Sequence, residues 1–212
     1  MGERFWDGHG VPQDHAQAAT WYRRAADQGY AAAQCKLGEC YRDGRGVDQD
    51  HLEAVAWFRR AADQGHAHAQ ACLGSRYHYG QGVDQDDAEA VAWYRRAAEQ
   101  GHANAQFSLG ARYDNGQGVG QDYVEAVAWY RRAAEQRHAK AQYKLGVCYA
   151  NGHGVNQDYA EAVAWYHRAA EQGDAQAQLN LGVCYKKGRG VQRNRVEAVA
   201  WYRRAAEQGH AD

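Results

Sequence analysis

The sequence contains almost no proline and has no excess of either charge. Pro12 is the single proline among 212 residues, which argues against an all-β chain with many turns. Lys and Arg number 25 and Asp and Glu number 26, so the formal net charge is −1. Because proteins that bind phosphate backbones normally carry a basic excess, this balance disfavours a nucleic-acid partner.

Long apolar runs are also missing. No stretch approaches the length that spans a bilayer, and none resembles a signal peptide. We therefore expect no membrane insertion. The chain begins part-way through a repeat, so it is compatible with a longer parent protein that has a preceding segment. In that case a periplasmic or secreted location is an alternative.

The five cysteines are an odd number, so at least one is unpaired in a monomer. Cys40, Cys148 and Cys184 occupy the same repeat position. Equivalent atoms in neighbouring stacked helices lie about 9–10 Å apart, beyond the reach of a disulfide. We therefore expect free, partly buried thiols, which favour a reducing compartment such as the cytoplasm.

An uninterrupted repeat of 36 residues governs the whole sequence. Its marker is a tryptophan in each unit: Trp21, Trp57, Trp93, Trp129, Trp165 and Trp201. Blocks such as EAVAWYRRAAEQG and AQFSLGARYDNGQGV recur around and between these tryptophans. The predicted division is a partial repeat (1–29), full repeats (30–65, 66–101, 102–137, 138–173, 174–209) and a stub (210–212). All of them are expected to form one repeat domain, 1–212, because stacked repeats share a continuous core.

Each repeat is predicted to contain two helices. The second helix starts at Asp or Asn, with an acid or amide three residues later, as in Asp50 with Glu53. This spacing predicts a capping box, in which two side chains each bond an unpaired backbone donor. The same spacing recurs at Asp14–Gln17, Asp86–Glu89, Asp122–Glu125, Asp158–Glu161 and Asn194–Glu197.

Glycines predict where both helices end. The second helices are expected to stop at a glycine with positive φ, at Gly29, Gly65, Gly101, Gly173 and Gly209. Arg137 takes this place in one repeat, so its turn is expected to be strained or of another type. The first helix is predicted over about Ala67 to Tyr79, before a G-x-G-V turn. The tryptophans and the recurring small residues are expected to form the core.

The pattern A-x-A-Q-x-x-LG-x-x-Y-x-x-G-x-GV-x-x-D-x-x-EA-x-x-WY-x-x-AA-x-QG resembles the Sel-1-like repeat, a relative of the tetratricopeptide repeat. The resemblance covers essentially the whole chain. It implies an all-α fold, an α-α superhelix (right-handed solenoid) of 36-residue helix-turn-helix units, here with eleven full helices. It also implies a non-catalytic adaptor that binds a partner protein or peptide, because family members assemble protein complexes.

One cysteine-rich bacterial subgroup of that family clips each unit with a disulfide, and some of its members are linked to β-lactam binding or hydrolysis. The matching positions here hold no cysteine; they are Ala62 and Gln70, Ala98 and Gln106, and Ala134 and Gln142. The resemblance therefore implies that the clip is absent. A β-lactam-binding or hydrolysing enzyme remains the alternative, and a passive structural spacer is a second one.

No catalytic, cofactor or metal site is predicted. His66, His102, His138 and His210 share one repeat position, too far apart to bind one ion, and are expected to be polar residues at helix starts. The Arg pairs, such as Arg59–Arg60, are expected to pair with acids one turn later; the acids are Asp63, Glu99, Glu135 and Glu207. The G-x-G-V turns lack the third Gly and the Lys of phosphate-binding loops.

The positions that change between repeats carry the binding hypothesis. On the first helix, constant residues occupy one side of the helical wheel and changing residues occupy the other. If the first helices line a concave face, the changing residues form the floor of a groove for an extended or helical peptide. The predicted site consists of Asn104, Phe107, Ser108, Ala111, Lys140, Tyr143, Lys144, Val147, Gln176, Leu179, Asn180 and Val183.

Within that groove, Phe107, Tyr143 and Leu179 are the predicted anchors of the partner. Neutral drift of exposed positions is an equally weighted alternative. A separate expectation concerns the two ends of the array. Each would expose an unmatched helix face, which favours end-to-end self-association.

Overall fold

The structure, a computed structural model, describes residues 1–208, and these contain α-helices and no strand. The all-α class is confirmed. The helices are α1 (Gly2–Asp7), α2 (His15–Ala26), α3 (Ala31–Asp43), α4 (His51–Asp63), α5 (Ala67–Tyr79), α6 (Asp87–Glu99), α7 (Ala103–Asn115), α8 (Tyr123–Glu135), α9 (Ala139–Asn151), α10 (Tyr159–Glu171), α11 (Ala175–Lys187) and α12 (Arg195–Glu207). Gly209, His210 and the stub 210–212 lie outside the described residues.

Eleven helices have 12 or 13 residues, and α1 is a short remnant of 6. The odd-numbered helices α3 to α11 are the first helices of the repeats, and the even-numbered ones are the second helices. The chain forms two compact units, Met1–Ala105 and Gln106–Asp212. In unit 1, helices α1 to α6 pack consecutively, each on the next, and in unit 2, α8 to α12 do the same.

The second helices begin at the predicted N-caps. The Asp158 carboxylate accepts hydrogen bonds from the backbone N–H groups of Ala160 (2.8 Å) and Glu161 (3.0 Å). The backbone N–H of Asp158 donates to the carbonyl of Tyr149 in the preceding first helix, at 2.9 Å. Half of the predicted capping box is therefore present, because the donor that the glutamate would satisfy bonds to the first helix instead.

Positive-φ glycines end the helices where the sequence predicts. Gly152 closes α9 in the left-handed region, with φ +74°. Two residues later Gly154, with φ +69°, lies so close to α8 that a Cβ would come within 2.1 Å of the Tyr123 carbonyl oxygen. The second glycine of the G-x-G-V turn therefore serves helix packing and not only chain reversal.

Arg137 adopts the same turn as the glycines at its repeat position. Its φ is +63°, and it is the one non-glycine residue with positive φ among residues 1–208. Gly173, at the equivalent place one repeat later, has φ +87°. The turn is therefore of the usual type and strained, since a Cβ is disfavoured in this region.

Alanine, leucine and tryptophan form the core of each unit. In unit 2 one cluster includes Ala162, Tyr166, Leu181 and Trp201, all buried. Where α9 meets α10, Gly146 packs against the ring of Tyr166, and an added Cβ would lie 2.7 Å from Tyr166 Cδ1. Small residues thus let the helices approach, as expected.

The arginine pair Arg131–Arg132 does not form the expected ion pair with Glu135, one turn later. In the second helices the later arginine stacks over the buried tryptophan, as Arg132 does over Trp129 with its Cζ 4.3 Å from the ring centroid. The earlier one, Arg131, donates to the Tyr149 hydroxyl at 2.6 Å. Within the described part of the chain, no ion pair joins either arginine to Glu135. The Arg132 guanidinium therefore makes a cation–π contact in place of the surface ion pair.

Candidate functional site

The solvent exposure of the predicted site residues on α9 and α11 decreases along each helix. Lys140 and Gln176 are exposed, whereas the positions a turn further along each helix are half-buried. The half-buried members of the predicted site are Phe107, Ser108, Ala111, Tyr143, Lys144, Val147, Leu179, Asn180 and Val183. Asn104 is exposed and belongs to unit 1, whereas the other predicted residues belong to unit 2.

The aromatic anchors pack against rings of their own chain. Phe107 stacks on His138 with ring centroids 4.9 Å apart and lies 5.8 Å from the Tyr130 ring. Tyr143 lies 6.0 Å from the Tyr166 ring. Both rings are therefore walls of the surface rather than side chains that project freely toward a partner.

A cleft of about 270 Å³ opens between α9 and α11 in unit 2. Four predicted residues line it, Tyr143, Val147, Asn180 and Val183. The remaining lining residues, which the sequence analysis did not single out, are Ala150, Asn151, Tyr159, Tyr166, Cys184 and Arg189. The structure therefore brings together the apolar and amide parts of the predicted groove.

Asn180 lies beside two tyrosines that line this cleft, Tyr143 and Tyr166. Burial raises the pKa of both phenols, and the Asn180 side chain offsets part of that rise. Both hydroxyls consequently stay protonated at neutral pH and can donate hydrogen bonds at the floor of the cleft.

The positively charged residues near this face differ in their exposure and in their partners. Lys144 is 3.6 Å from the Asp114 carboxylate, which also accepts a 3.2 Å hydrogen bond from the Tyr130 hydroxyl. Lys140 is exposed one turn before Lys144. Arg189, also exposed, lies with its Cζ 5.6 Å from the Tyr159 ring centroid. Arg189 therefore brings a positive charge to the lining of the cleft.

In unit 1 the same variable positions carry a different set of side chains. His68 Nε2 is 2.8 Å from Glu39 Oε1, and Lys36 Nζ is 3.0 Å from Glu39 Oε2. The Cys72 sulfur lies 3.7 Å from His68 Nε2, and Cys35 is buried alongside. The sequence analysis did not predict this cluster, although i, i+4 spacing within Cys35–Glu39 and His68–Cys72 was the available signal.

The histidines at the shared repeat position are helix caps, as expected. Nδ1 of His66, His102 and His138 accepts a hydrogen bond from the backbone N–H three residues later, at 3.1–3.2 Å. Asp174 does the same with its carboxylate at 2.8 Å. All five cysteines are free and buried, also as expected.

Hydrogen bonds occupy the places that the cysteine-rich subgroup bridges with disulfides. The buried Gln70 amide donates to the Ala62 carbonyl at 3.1 Å, and Gln142 donates to Ala134 at 3.0 Å. Their side-chain oxygens accept from the turn glutamines Gln100 and Gln172, each at 2.7 Å. An amide chain thus links the end of one repeat to the start of the next.

Comparison with known proteins decides the family. The profile described as "Sel1 repeat" matches six consecutive segments: 1–30, 31–66, 67–102, 103–138, 139–174 and 175–210. The chain belongs to the Sel1 repeat family. The predicted fold class, an all-α solenoid of helix-pair repeats, is confirmed with it.

Solved Sel1 repeat structures are similar over almost the whole chain. The c5321 protein, a protective antigen of uropathogenic Escherichia coli strains displaying an SLR fold, is 41% identical with a TM-score of 0.92. The match covers 98% of this chain but 44% of that one, so this chain spans less than half of c5321. A Sel1 repeat protein from Oxalobacter formigenes is 38% identical over 99% of this chain and 85% of its own, with a TM-score of 0.89.

A more distant likeness concerns the fold alone. Immunity protein Pa5087 from Pseudomonas aeruginosa is 19% identical over 97% of this chain and 81% of its own, with a TM-score of 0.60. No curated protein sequence matches this chain. Among the described residues no helix is both long enough and apolar enough to span a membrane. Sel1 repeat proteins are commonly protein-interaction scaffolds and generally lack catalytic activity.

Proposed function

We propose that this Sel1 repeat chain is a non-catalytic scaffold that binds a segment of a partner protein on the first-helix face of unit 2. The observation that carries the proposal is the cleft between α9 and α11. Its lining includes Tyr143, Val147, Asn180 and Val183, which vary between repeats while the surrounding core is constant. Recognition clefts combine such apolar walls with a few oriented polar groups.

The chemistry of the cleft defines the segment that fits it. Val147 and Val183 offer apolar contact to one inserted side chain, and Asn180 offers its amide at the floor. Arg189 places positive charge in the lining of the cleft, and Lys140 is exposed about one turn before Tyr143 on α9. The complementary occupant is a peptide with an apolar side chain flanked by aspartate or glutamate.

Selection of random linear peptides displayed on phage tests this directly. The wild-type chain is expected to enrich peptides that carry an apolar residue next to acidic ones. The best synthetic peptide is then titrated against V147D and V183D, each expected to weaken binding at least about tenfold because a buried carboxylate would face the inserted group. K140E is expected to weaken binding and to reduce its salt dependence.

The matched control is V124D, since Val124 is 66% exposed on α8 and lies outside the cleft. It is expected to bind like the wild type. Enrichment no better than on the bare support, or equal affinity of V147D and V124D for the selected peptide, overturns the proposal. These substitutions are preferable to F107A and Y143A, because both of those rings pack within the fold.

The β-lactam alternative has less support. The disulfide positions of the cysteine-rich subgroup hold glutamine amides bonded to backbone carbonyls, as at Gln142. We expect a chromogenic β-lactam to be hydrolysed no faster with the chain than in buffer. Turnover that scales with protein concentration and persists after repurification would support the alternative of a β-lactam-hydrolysing enzyme.

A further inference from the structure

Three potential metal ligands, Cys35, Glu39 and His68, meet at the variable positions of unit 1, and a fourth, Cys72, lies beside His68. Cys35 and Glu39 are one turn apart on α3, and His68 and Cys72 are one turn apart on α5. Ligand atoms of Cys35, Glu39 and His68 all lie within 4.8 Å of one another. Residues at i and i+4 face the same side of a helix, so each helix presents a pair of ligands to the other.

We propose that Cys35, Glu39, His68 and Cys72 form a binding site for a thiophilic divalent transition metal, best suited to Zn²⁺. Thiolate and imidazole donors select zinc-like ions over Mg²⁺ and Ca²⁺, which need oxygen ligands. Two sulfurs, one nitrogen and one oxygen make a tetrahedral set. Cys72 lies outside the 4.8 Å group formed by the other three ligand atoms, so its side chain has to move toward the ion. The bound ion would join the first helices of two consecutive repeats.

The distances in the cluster approach those of a coordinated ion. Bonds of about 2.3 Å to sulfur and about 2.0 Å to nitrogen place these two ligand atoms about 3.5 Å apart in a tetrahedron. The Cys72 sulfur and His68 Nε2 are 3.7 Å apart. His68 Nε2 and Glu39 Oε1 are 2.8 Å apart, as in a hydrogen bond, and separate slightly to admit the ion.

Residues around the cluster orient one of its ligands, and a cleft connects the cluster to solvent. Lys36 donates to Glu39 Oε2, which leaves Oε1 to the metal and orients the carboxylate. A cleft of about 490 Å³ is lined by Cys35, Lys36 and His68, so the buried sulfur is reached from solvent. Burial raises the pKa of the Cys35 thiol, and the ion therefore has to displace its proton.

Metal binding also requires a change at His102. His102 caps α7 by accepting at Nδ1, so its proton is on Nε2, which lies 3.2 Å from His68 Nδ1. A metal on His68 Nε2 moves the His68 proton to Nδ1, where two N–H groups would then face each other. His102 must turn away, so we expect H102A to bind metal at least as tightly as the wild type.

The other repeats provide natural substitutions for testing each ligand. At the equivalent positions the chain has Ala71 for Cys35, Asn104 for His68, Ala111 for Glu39 and Ser108 for Cys72. The variants C35A, H68N, E39A and C72S therefore place residues that this fold already accepts there. C184S is the matched control, since Cys184 is a buried free thiol in unit 2.

The experiment is a Co²⁺ titration of the reduced chain, followed by competition with Zn²⁺. We expect about one Co²⁺ per chain, a near-ultraviolet thiolate-to-cobalt charge-transfer band, and loss of that band on adding Zn²⁺. C35A, C72S, E39A and H68N should each weaken binding at least about tenfold. C184S should retain the wild-type affinity and spectrum.

Absence of the charge-transfer band in the wild type overturns the proposal. Wild-type affinity in any of C35A, C72S, E39A or H68N, or loss of the band in C184S, also overturns it, because the ion would then bind elsewhere or without the proposed ligand. Circular dichroism of each variant establishes that weakened binding is not unfolding.

Discussion

The Gln142 side-chain amide donates to the Ala134 carbonyl at 3.0 Å and so ties the end of α8 to the start of α9. The Gln142 oxygen accepts from Gln172 at 2.7 Å, so one buried side chain satisfies groups from two repeats. A polar group buried in this way stabilises only while all its partners are present.

Removing this amide deletes two buried hydrogen bonds. The Ala134 carbonyl keeps the backbone bond from the Arg137 N–H, and the Gln172 amide keeps only the 3.4 Å bond to the Arg168 carbonyl. We therefore expect Q142A to lose about 1–3 kcal/mol in the free energy of unfolding. Urea denaturation followed by circular dichroism measures it. Q176A, on the exposed side of the next first helix, is the control and should change stability by less than about 0.5 kcal/mol. Equal stability of the two variants would contradict this role.

The strained turn at Arg137 predicts a stabilising substitution. R137G relieves a Cβ at φ +63°, and we expect a gain of about 1 kcal/mol. The reciprocal G173R should lose a similar amount, since a Cβ at Gly173 meets nothing within 4 Å and only the backbone conformation opposes it. Thermal denaturation of both variants checks the pair, and changes of the same sign would refute the explanation.

Close approach of α9 and α10 makes Gly146 intolerant of a methyl group. A Cβ there would lie 2.7 Å from Tyr166 Cδ1 and 3.1 Å from the Ala162 carbonyl oxygen. We expect G146A to cost about 1–3 kcal/mol, because the helices must separate. G120A is the control, since nothing lies within 4 Å of a Cβ at Gly120. Unchanged stability of G146A in urea would show that the helices adjust freely.

Stability should depend on pH through His138. Burial is the main cause that lowers the pKa of His138 below its usual 6.5, with the Lys140 charge adding to it. As the pH falls, His138 therefore takes up a proton in the unfolded chain before it does so in the folded chain. The stability that depends on neutral His138 is fully present above about pH 6.5, and it decreases as the pH falls through that value.

H138D isolates this effect. Asp174 already caps the equivalent helix, so the aspartate keeps the cap and removes the titration near neutrality. The difference in free energy of unfolding, wild type minus H138D, should decrease between about pH 7.5 and pH 5. Urea midpoints at each pH give this difference, and parallel pH profiles would exclude His138 as the cause.

Local chemistry made most of the fold predictable. Asp158 and its equivalents predict where the second helices begin, and Gly152 and its equivalents predict where the first helices end. Both signals are local, because helix caps and positive φ depend on residues adjacent in the sequence. The boundaries Ala67 and Tyr79 were predicted correctly for α5. The reciprocal bond of the capping box failed because a distant acceptor, the Tyr149 carbonyl, competes for the same N–H.

The candidate site was harder to predict, since its contacts join residues about one repeat apart. The helical wheel grouped Tyr143, Val147, Asn180 and Val183, and in the structure these four line one cleft. That they bind a partner stays a prediction. The helical wheel could not show that Phe107 stacks on His138, because that contact depends on side-chain rotamers. It also could not show that His68 contacts Glu39. That contact depends on the distance between α3 and α5 as well as on which side of each helix the residues lie.

The amide chain through the glutamines has a consequence for how such arrays change length. Gln70 and Gln142 bond to backbone carbonyls, which every residue type supplies, and to a turn glutamine that recurs in each unit. A segment of one period could be duplicated or excised in register without leaving any of these groups unmatched. Recombination between the near-identical units can therefore lengthen or shorten the protein while the chemistry on its variable face is reshuffled in blocks.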